Sequence, residues 1–282
     1  MIDIIECPRD AMQGIERQIP TELKIQYMNH LLKVGFHTLD FGSFVSPKAT
    51  PQMADTGEVL KGLELEGTET KLLAIVANLR GANDAGAFKE IDILGYPFSI
   101  SETFQLRNTR KTIAQSLELL AEMQGLCEET DKELLVYLSM AFGNPYGDEW
   151  SPELLEDWAF RMKDLGIRSI ALADTVGNAD AEIIHRSFGN LLPKMDDLTV
   201  GAHFHAAPDQ REMKIKAAWE EGCTRFDVAL NGFGGCPFAK DELVGNIATE
   251  SLLAFCQKEN ITTGLDEQPL QEAMKLAPQI FG

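Results

Sequence analysis

The chain has 282 residues, with 44 acidic against 25 basic side chains, for a formal charge of −19. That charge argues against nucleic acid or an anionic membrane as partner, since either would be repelled without a strong basic patch, and an anionic substrate would need local help from a metal or an arginine. A hydrophobic fraction of 44% and a charged fraction of 24% are ordinary for a globular chain with a full core, so disorder is not expected.

In chain order, residues 2–6 read as a short buried strand that runs into Cys7-Pro8-Arg9-Asp10, where proline ends the ladder and presents two charged residues. A helix over 21–34 follows, with Leu23, Ile25, Met28, Leu31 and Leu32 at helical spacing, Thr21 as its cap and Gly35 as its stop. Strands are expected over 36–41, 72–77 and 91–94, and helices through Val59-Leu60, over 80–87 and in one long run over 102–126. In the second half, strands are expected over 133–140, 169–173, 199–204 and 225–230. The helices between and after them are expected over 151–165, where Ser151-Pro152 has the form of a helix start, and over 179–192, 210–221, 246–257 and 270–276. About eight strand-then-helix units, with no internal repeat and no linker rich in Pro, Gly or Ser, point to a parallel sheet closed into a (β/α)8 barrel, one catalytic domain over 1–282.

The N-terminus has no basic region followed by an apolar run, and no segment nears the ~18 apolar residues of a membrane span, so neither signal peptide nor anchor is expected. Five cysteines without CxxC spacing argue against a disulfide scaffold or structural zinc and suit a reducing cytoplasm.

In such barrels the reactive groups sit where strands end and loops begin. Arg9 and Asp10 follow the first strand, Asp40 ends the second, Asn78 follows the third, Asp174 ends the sixth, and His203-Phe204-His205 closes the seventh. Side chains two apart on a strand share a face, so both imidazoles aim at one point. Closure makes the first and eighth strands neighbours and leaves the seventh one strand further on, so Asp10 can meet His203 and His205. One carboxylate with two imidazoles and no clustered thiolate suits Mg²⁺ or Mn²⁺, with affinity falling as the histidines protonate around pH 6.5. Each residue also has an ordinary structural use: Asp10 capping a turn, Arg9 pairing with it, Asp174 capping the next helix, Asp40 pairing with a buried base. The loop Gly232-Phe233-Gly234-Gly235-Cys236-Pro237 is glycine-dense, as where backbone bends sharply or approaches a ligand, and Cys236 at its tip is a candidate acid or nucleophile. A small buried thiol is its bland alternative, and packing is the default for Cys7, Cys127, Cys223 and Cys256.

Several segments, in order, resemble the 3-hydroxy-3-methylglutaryl-CoA lyases of the DRE-TIM metallolyase superfamily: Glu6-Cys7-Pro8-Arg9-Asp10, Ser43-Phe44-Val45-Ser46-Pro47-Lys48, Gly143-Asn144-Pro145-Tyr146, Ala173-Asp174-Thr175-Val176-Gly177, His203-Phe204-His205 and Gly234-Gly235-Cys236-Pro237-Phe238-Ala239. The resemblance implies metal ligands at Asp10, His203, His205 and Asn246, Arg9 steadying a developing enolate, Cys236 on a mobile loop as proton donor, an acyl-CoA substrate, and a homodimer as an open option. Three departures stand out: Asp40 replaces a usual Glu, Ala206-Ala207 replace the Asp-Thr after His-x-His, and the spacing from Cys236 to Asn246 is one residue longer than expected, around Lys240-Asp241-Glu242. Besides the lyase, two alternatives remain open: a Claisen-condensing synthase of the same superfamily, and a catalytically silent acyl-CoA-binding barrel. Synthases commonly carry a further C-terminal regulatory domain, so the end of the chain at Gly282 favours the lyase.

Overall fold

The computed structural model describes residues 2–234 and 244–281. Its eight strands, β1 (Asp3–Glu6), β2 (Thr38–Ser43), β3 (Lys71–Ile75), β4 (Ile93–Ser99), β5 (Glu133–Ser139), β6 (Ser169–Asp174), β7 (Thr199–Phe204) and β8 (Arg225–Val228), are parallel and close in sequence order. The last rung of closure pairs β1 with β8, Asp3 opposite Arg225 and Ile5 opposite Asp227. Around the strands lie α1 (Pro8–Gln13), α2 (Thr21–Val34), α3 (Thr56–Lys61), α4 (Leu79–Gly86), α5 (Glu102–Thr109), α6 (Ile113–Glu129), α7 (Pro152–Asp164), α8 (Ala181–Leu191), α9 (Arg211–Glu220), α10 (Thr249–Lys258) and α11 (Glu267–Phe281). The (β/α)8 barrel expected from the alternation is the fold observed. No helix among the described residues is long and apolar enough to cross a membrane.

Apolar side chains pack in two bodies. The larger fills the space between strands and helices, and the smaller, with Leu73, Ile75, Ile93, Leu135, Tyr137 and Ala171, fills the β3 to β6 side of the lumen. Gly35, Gly166 and Gly222 follow their helices at positive φ, the left-handed stop that glycine adopts without a Cβ clash.

Local differences from the sequence reading have local causes. Pro8 does not leave Arg9 and Asp10 in a loop but opens α1 at its first position, where its missing N–H costs nothing. Thr21 is not the cap of α2; Pro20 holds that position and the Thr21 hydroxyl donates to Asp55. The long helix over 102–126 is two, because Arg110 turns left-handed after α5 and Thr112 restarts the chain with a reciprocal capping box to Gln115. The strand expected over 91–94 runs on through Gly95-Tyr96-Pro97, in register with β5 from Ile93 to Ser99.

Glu6 is a fully buried carboxyl on the helix-facing side of β1. It accepts the Leu230 N–H at 2.8 Å and the Thr249 hydroxyl at 2.6 Å, tying the first strand to the chain leaving β8 and to the start of α10. Burial, only partly offset by those two hydrogen bonds, pushes its pKa up to about 8. An acid raised on folding binds more protons in the native state, so its contribution to stability falls as pH rises from its unfolded value toward 8 and levels off above that. Denaturant unfolding from pH 5 to 8.5 should therefore show the wild type losing stability relative to Glu6→Gln, which keeps an acceptor and does not titrate. Parallel pH curves for the two proteins would contradict the assignment.

Candidate metal centre and active site

The site is built at the C-terminal mouth of the barrel by segments distant in sequence. Because β1 passes directly into α1, Arg9 and Asp10 stand over the lumen on the first helical turn, both buried. His203 lies within β7 opposite Asp227 of β8. His205, just beyond β7, forms an antiparallel bridge with Asn246, held by the Ala206 N–H donating to the Gly245 carbonyl at 2.9 Å. The Asn246 amide donates to Asp10 Oδ2 at 2.7 Å and to the Phe233 carbonyl at 2.8 Å. Ligand atoms of Asp10, His203 and His205 lie within 4.8 Å of one another, so the three residues expected to meet across the closure do meet.

Each imidazole is oriented from behind. His203 Nδ1 is 3.1 Å from Asp227 Oδ2 and His205 Nδ1 is 3.2 Å from the Val244 carbonyl. With Nδ1–H donated in both, each Nε2 keeps its lone pair for a cation, as is usual for a histidine whose other nitrogen binds a metal. Burial alone would raise the Asp10 carboxyl, but the Arg9 guanidinium, both imidazoles and the Asn246 amide bring it down to about 2. Burial and the neighbouring His203 lower His205 to about 4, whereas for His203 the hydrogen bond and charge of Asp227 overcome burial and raise it. With neutral histidines, Asp10, Asp40 and Asp227 against Arg9 and Arg225 leave the buried cluster one net negative charge. A divalent cation inverts that sign and makes the mouth receptive to an anionic substrate that the whole chain would repel. The donor set fits such an ion.

Arg9 is held from two sides. Its Nε and Nη2 grip Asp40 at 2.5 to 3.1 Å, and its Nη1 donates to Asp10 at 3.0 Å and to Gln13 at 3.1 Å. Asp40 is fully buried behind the guanidinium, in mid-strand rather than at the strand end. Burial pushes its carboxyl up to about 6 against the pull of Arg9. The shorter acid thus still reaches its arginine. Asp174 stands away from this cluster: its carboxylate takes Lys214 Nζ at 2.5 Å and the Asn178 and Ala179 N–H groups, while the same ammonium holds the Gly177 and His205 carbonyls. Its place is that of a brace between the loops after β6 and β7. Asn78 caps α4 through the Gly81 N–H, and Ala206 packs in the apolar core. Cys236 and the segment around Lys240-Asp241-Glu242 lie outside the described residues.

A cavity of about 370 Å³ opens over the cluster, with Arg9, Asp10, His203 and His205 at its polar end and Val45, Ile75, Pro97, Phe104 and Tyr137 along its apolar wall. Two contributors escaped the sequence reading. Asp227 had a visible signal, since Arg225-Phe226-Asp227 puts two charges on one face of a strand due to be buried. Lys214, on an α9 that also carries Arg211, Glu212, Lys216 and Glu220, looks in sequence like an ordinary helix lysine.

Comparison with known proteins agrees with this geometry. A family model described as HMGL-like matches residues 2–277. The cytoplasmic 3-hydroxy-3-methylglutaryl-CoA lyase of Danio rerio is 31% identical over 275 residues, 96% of this chain and 81% of that protein. A 3-hydroxy-3-isohexenylglutaryl-CoA/hydroxy-methylglutaryl-CoA lyase of Pseudomonas aeruginosa is 31% identical over 277 residues, 98% of this chain and 91% of that one. Among solved structures, an HMG-CoA lyase from Acinetobacter baumannii in complex with coenzyme A and 3-methylmalate superposes with a TM-score of 0.92 at 32% identity, covering 100% of this chain and 92% of that one.

Because His203 is raised and His205 lowered, the two imidazoles should compete with metal in separate pH ranges rather than together near 6.5. The Mn²⁺ affinity measured by calorimetry should fall with a one-proton slope as pH drops from 7 to 5, and a second proton should enter only near pH 4. A two-proton slope centred at 6.5 would refute that ordering. His205→Ala should abolish the metal-dependent rise in melting temperature.

Proposed function

Because the chain belongs to the HMGL-like family, we propose that it is a metal-dependent carbon–carbon lyase, cleaving 3-hydroxy-3-methylglutaryl-CoA or a close acyl-CoA to acetyl-CoA and acetoacetate. The observation that carries this reading is the convergence of Asp10, His203 and His205 beside a doubly anchored Arg9 at one end of the cavity. Asp10, His203, His205 and Asn246 would hold Mg²⁺ or Mn²⁺, since oxygen and imidazole donors without thiolate suit those ions. Such an ion supplies positive charge that acidifies the tertiary hydroxyl and orders it with the substrate carboxylate.

The reaction is a retro-Claisen cleavage. Transfer of the hydroxyl proton to a base at the polar end of the cavity lets that oxygen become the ketone of acetoacetate while the C2–C3 bond breaks and its electron pair passes into the thioester enolate. Arg9, fixed by Asp40 and Asp10, carries positive charge where the thioester oxygen becomes anionic and needs no reorganisation to do so. Cys236 delivers the proton to the enolate carbon. Asp40 acts by positioning Arg9, and Asp174, through Lys214, by holding the His205 backbone. The apolar wall formed by Val45, Ile75, Pro97 and Phe104 receives the 3-alkyl branch. A cytoplasmic setting goes with this reading, supported by free, buried thiols at Cys7, Cys127, Cys223 and Cys256.

The test is acetyl-CoA release from a panel of 3-hydroxy-3-methyl acyl-CoA thioesters with Mg²⁺, with Mn²⁺ and with chelator. Metal-dependent release is expected. Product formed only from acetyl-CoA plus an α-keto acid would indicate a synthase, and no product from either mixture would indicate a binding protein. Arg9→Gln and Cys236→Ala should each lower kcat by about 10²-fold or more, with Mn²⁺ affinity nearly kept; unchanged turnover in either would remove its assigned role.

A further inference from the structure

The barrel lumen changes character around its circumference. Toward β3 to β6 it is filled by Leu73, Ile75, Ile93, Leu135 and Ala171, but on β8 it holds Arg225 and Asp227, 5% and 3% exposed. A buried ion pair has a large desolvation cost, and well-packed apolar residues commonly serve stability as well or better. A pair kept there calls for an explanation in terms of what it touches.

Asp227 uses its two oxygens differently. Oδ2 faces His203 Nδ1 at 3.1 Å, and Oδ1 faces Arg225 Nη1 at 3.1 Å, an ion pair without hydrogen-bond alignment in which neither atom has another hydrogen-bond partner among the described residues. The charges therefore follow one another in series, guanidinium to carboxylate to imidazole, and the imidazole in turn has Asp10 and His205 as neighbours, with Nε2 left as its uncommitted nitrogen. The strand below His203 is shaped to admit the guanidinium. Gly201 lies two residues before His203 on the same face of β7, and a Cβ there would stand 2.5 Å from Arg225 Nη1, 3.0 Å from its Cδ and 3.1 Å from its Cγ. Any side chain at 201 would push Arg225 away from Asp227.

We propose that Arg225 is a positioning residue of the metal centre, acting through Asp227 to hold His203 as the Nδ1–H tautomer with Nε2 presented to the metal, and that residue 201 is glycine to seat its guanidinium. Without Arg225, Asp227 Oδ1 loses the cation that faces it, the carboxylate is free to turn, and the orientation of His203 is no longer set. The inference rests on His203 being a metal ligand, as in the reading above.

The experiment uses the full chain and two readouts that do not depend on turnover: the long-range ¹⁵N–¹H imidazole spectrum of the metal-free protein, and Mn²⁺ affinity by calorimetry. In the wild type, at a pH above the raised His203 titration so that the ring is neutral, the His203 signals should be those of the Nδ1–H tautomer. Arg225→Met should mix the tautomers and weaken Mn²⁺ binding about tenfold or more, the size usual for loss of an outer-shell partner. Arg225→Lys should recover part of both. Gly201→Ala, which removes no charge and touches no ligand, should reproduce the Arg225→Met effects; it decides the matter by the same readouts if Arg225→Met does not fold. A folded Arg225→Met, or in its absence Gly201→Ala, with wild-type imidazole signals and wild-type Mn²⁺ affinity overturns the proposal and leaves the lyase reading standing. Unchanged Mn²⁺ affinity in His203→Ala would instead remove the metal-ligand reading on which it rests.

Discussion

Closure of the sheet between β1 and β8 is the constraint on which the rest of the molecule depends. It brings Asp10, at the start of the chain, beside His203 and His205, nearly two hundred residues later, and its register sets Asp227 across from both Ile5 and His203. The bridge between His205 and Asn246 then adds a polar group from beyond the eighth strand. Because parallel strands present their C-terminal ends on one rim, no loop has to reach far to assemble the cluster. Glu6 clasps the same seam from the outside, through Leu230 and Thr249. The inner and outer faces of β1 thus serve site and fold at once.

The polar side of the lumen is a stack of compensated charges. Asp40 fixes Arg9, Arg9 touches Asp10, and Arg225 accompanies Asp227 behind His203. Each pair is costly to bury and gains little net stability. What the pairs supply is fixed direction: a guanidinium aimed at the cavity, and imidazoles whose Nδ1 atoms are already engaged. The opposed shifts of the two histidines follow from this arrangement, since His203 has a carboxylate behind it and His205 only a carbonyl.

The departures at Asp40 and Ala206 also resolve in this frame. Asp40 is one methylene shorter than the expected Glu, yet it sits at a register shift of β2 against β3, between Asp40 and Gly42, and reaches Arg9 from there. Ala206 gives its methyl to the core. Polar support behind His205 comes instead from Lys214, whose ammonium joins the His205 carbonyl to Asp174 and Gly177.

By itself, the sequence determined the barrel. Apolar runs of strand length alternate with helices at helical spacing, and such elements bury their apolar faces only by closing together. The His-x-His pair and Arg9-Asp10 were legible because a strand of period two and a strand-to-helix junction constrain where side chains point. Tertiary structure alone decided what lies behind them. Which acid turns toward Arg9, that Asp174 braces a loop, and that Arg225 and Asp227 stand beneath His203 depend on sheet register and lumen packing. The contacts of Arg9 with Asp40, of Asp174 with Lys214 and of His203 with Asp227 join residues 31, 40 and 24 positions apart, and no local periodicity records them. A buried helix lysine such as Lys214 carries no mark in a single sequence that separates it from one in water, and even where charges on a buried strand show, as at Arg225 and Asp227, only the packed environment supplies their partners and, with them, their role.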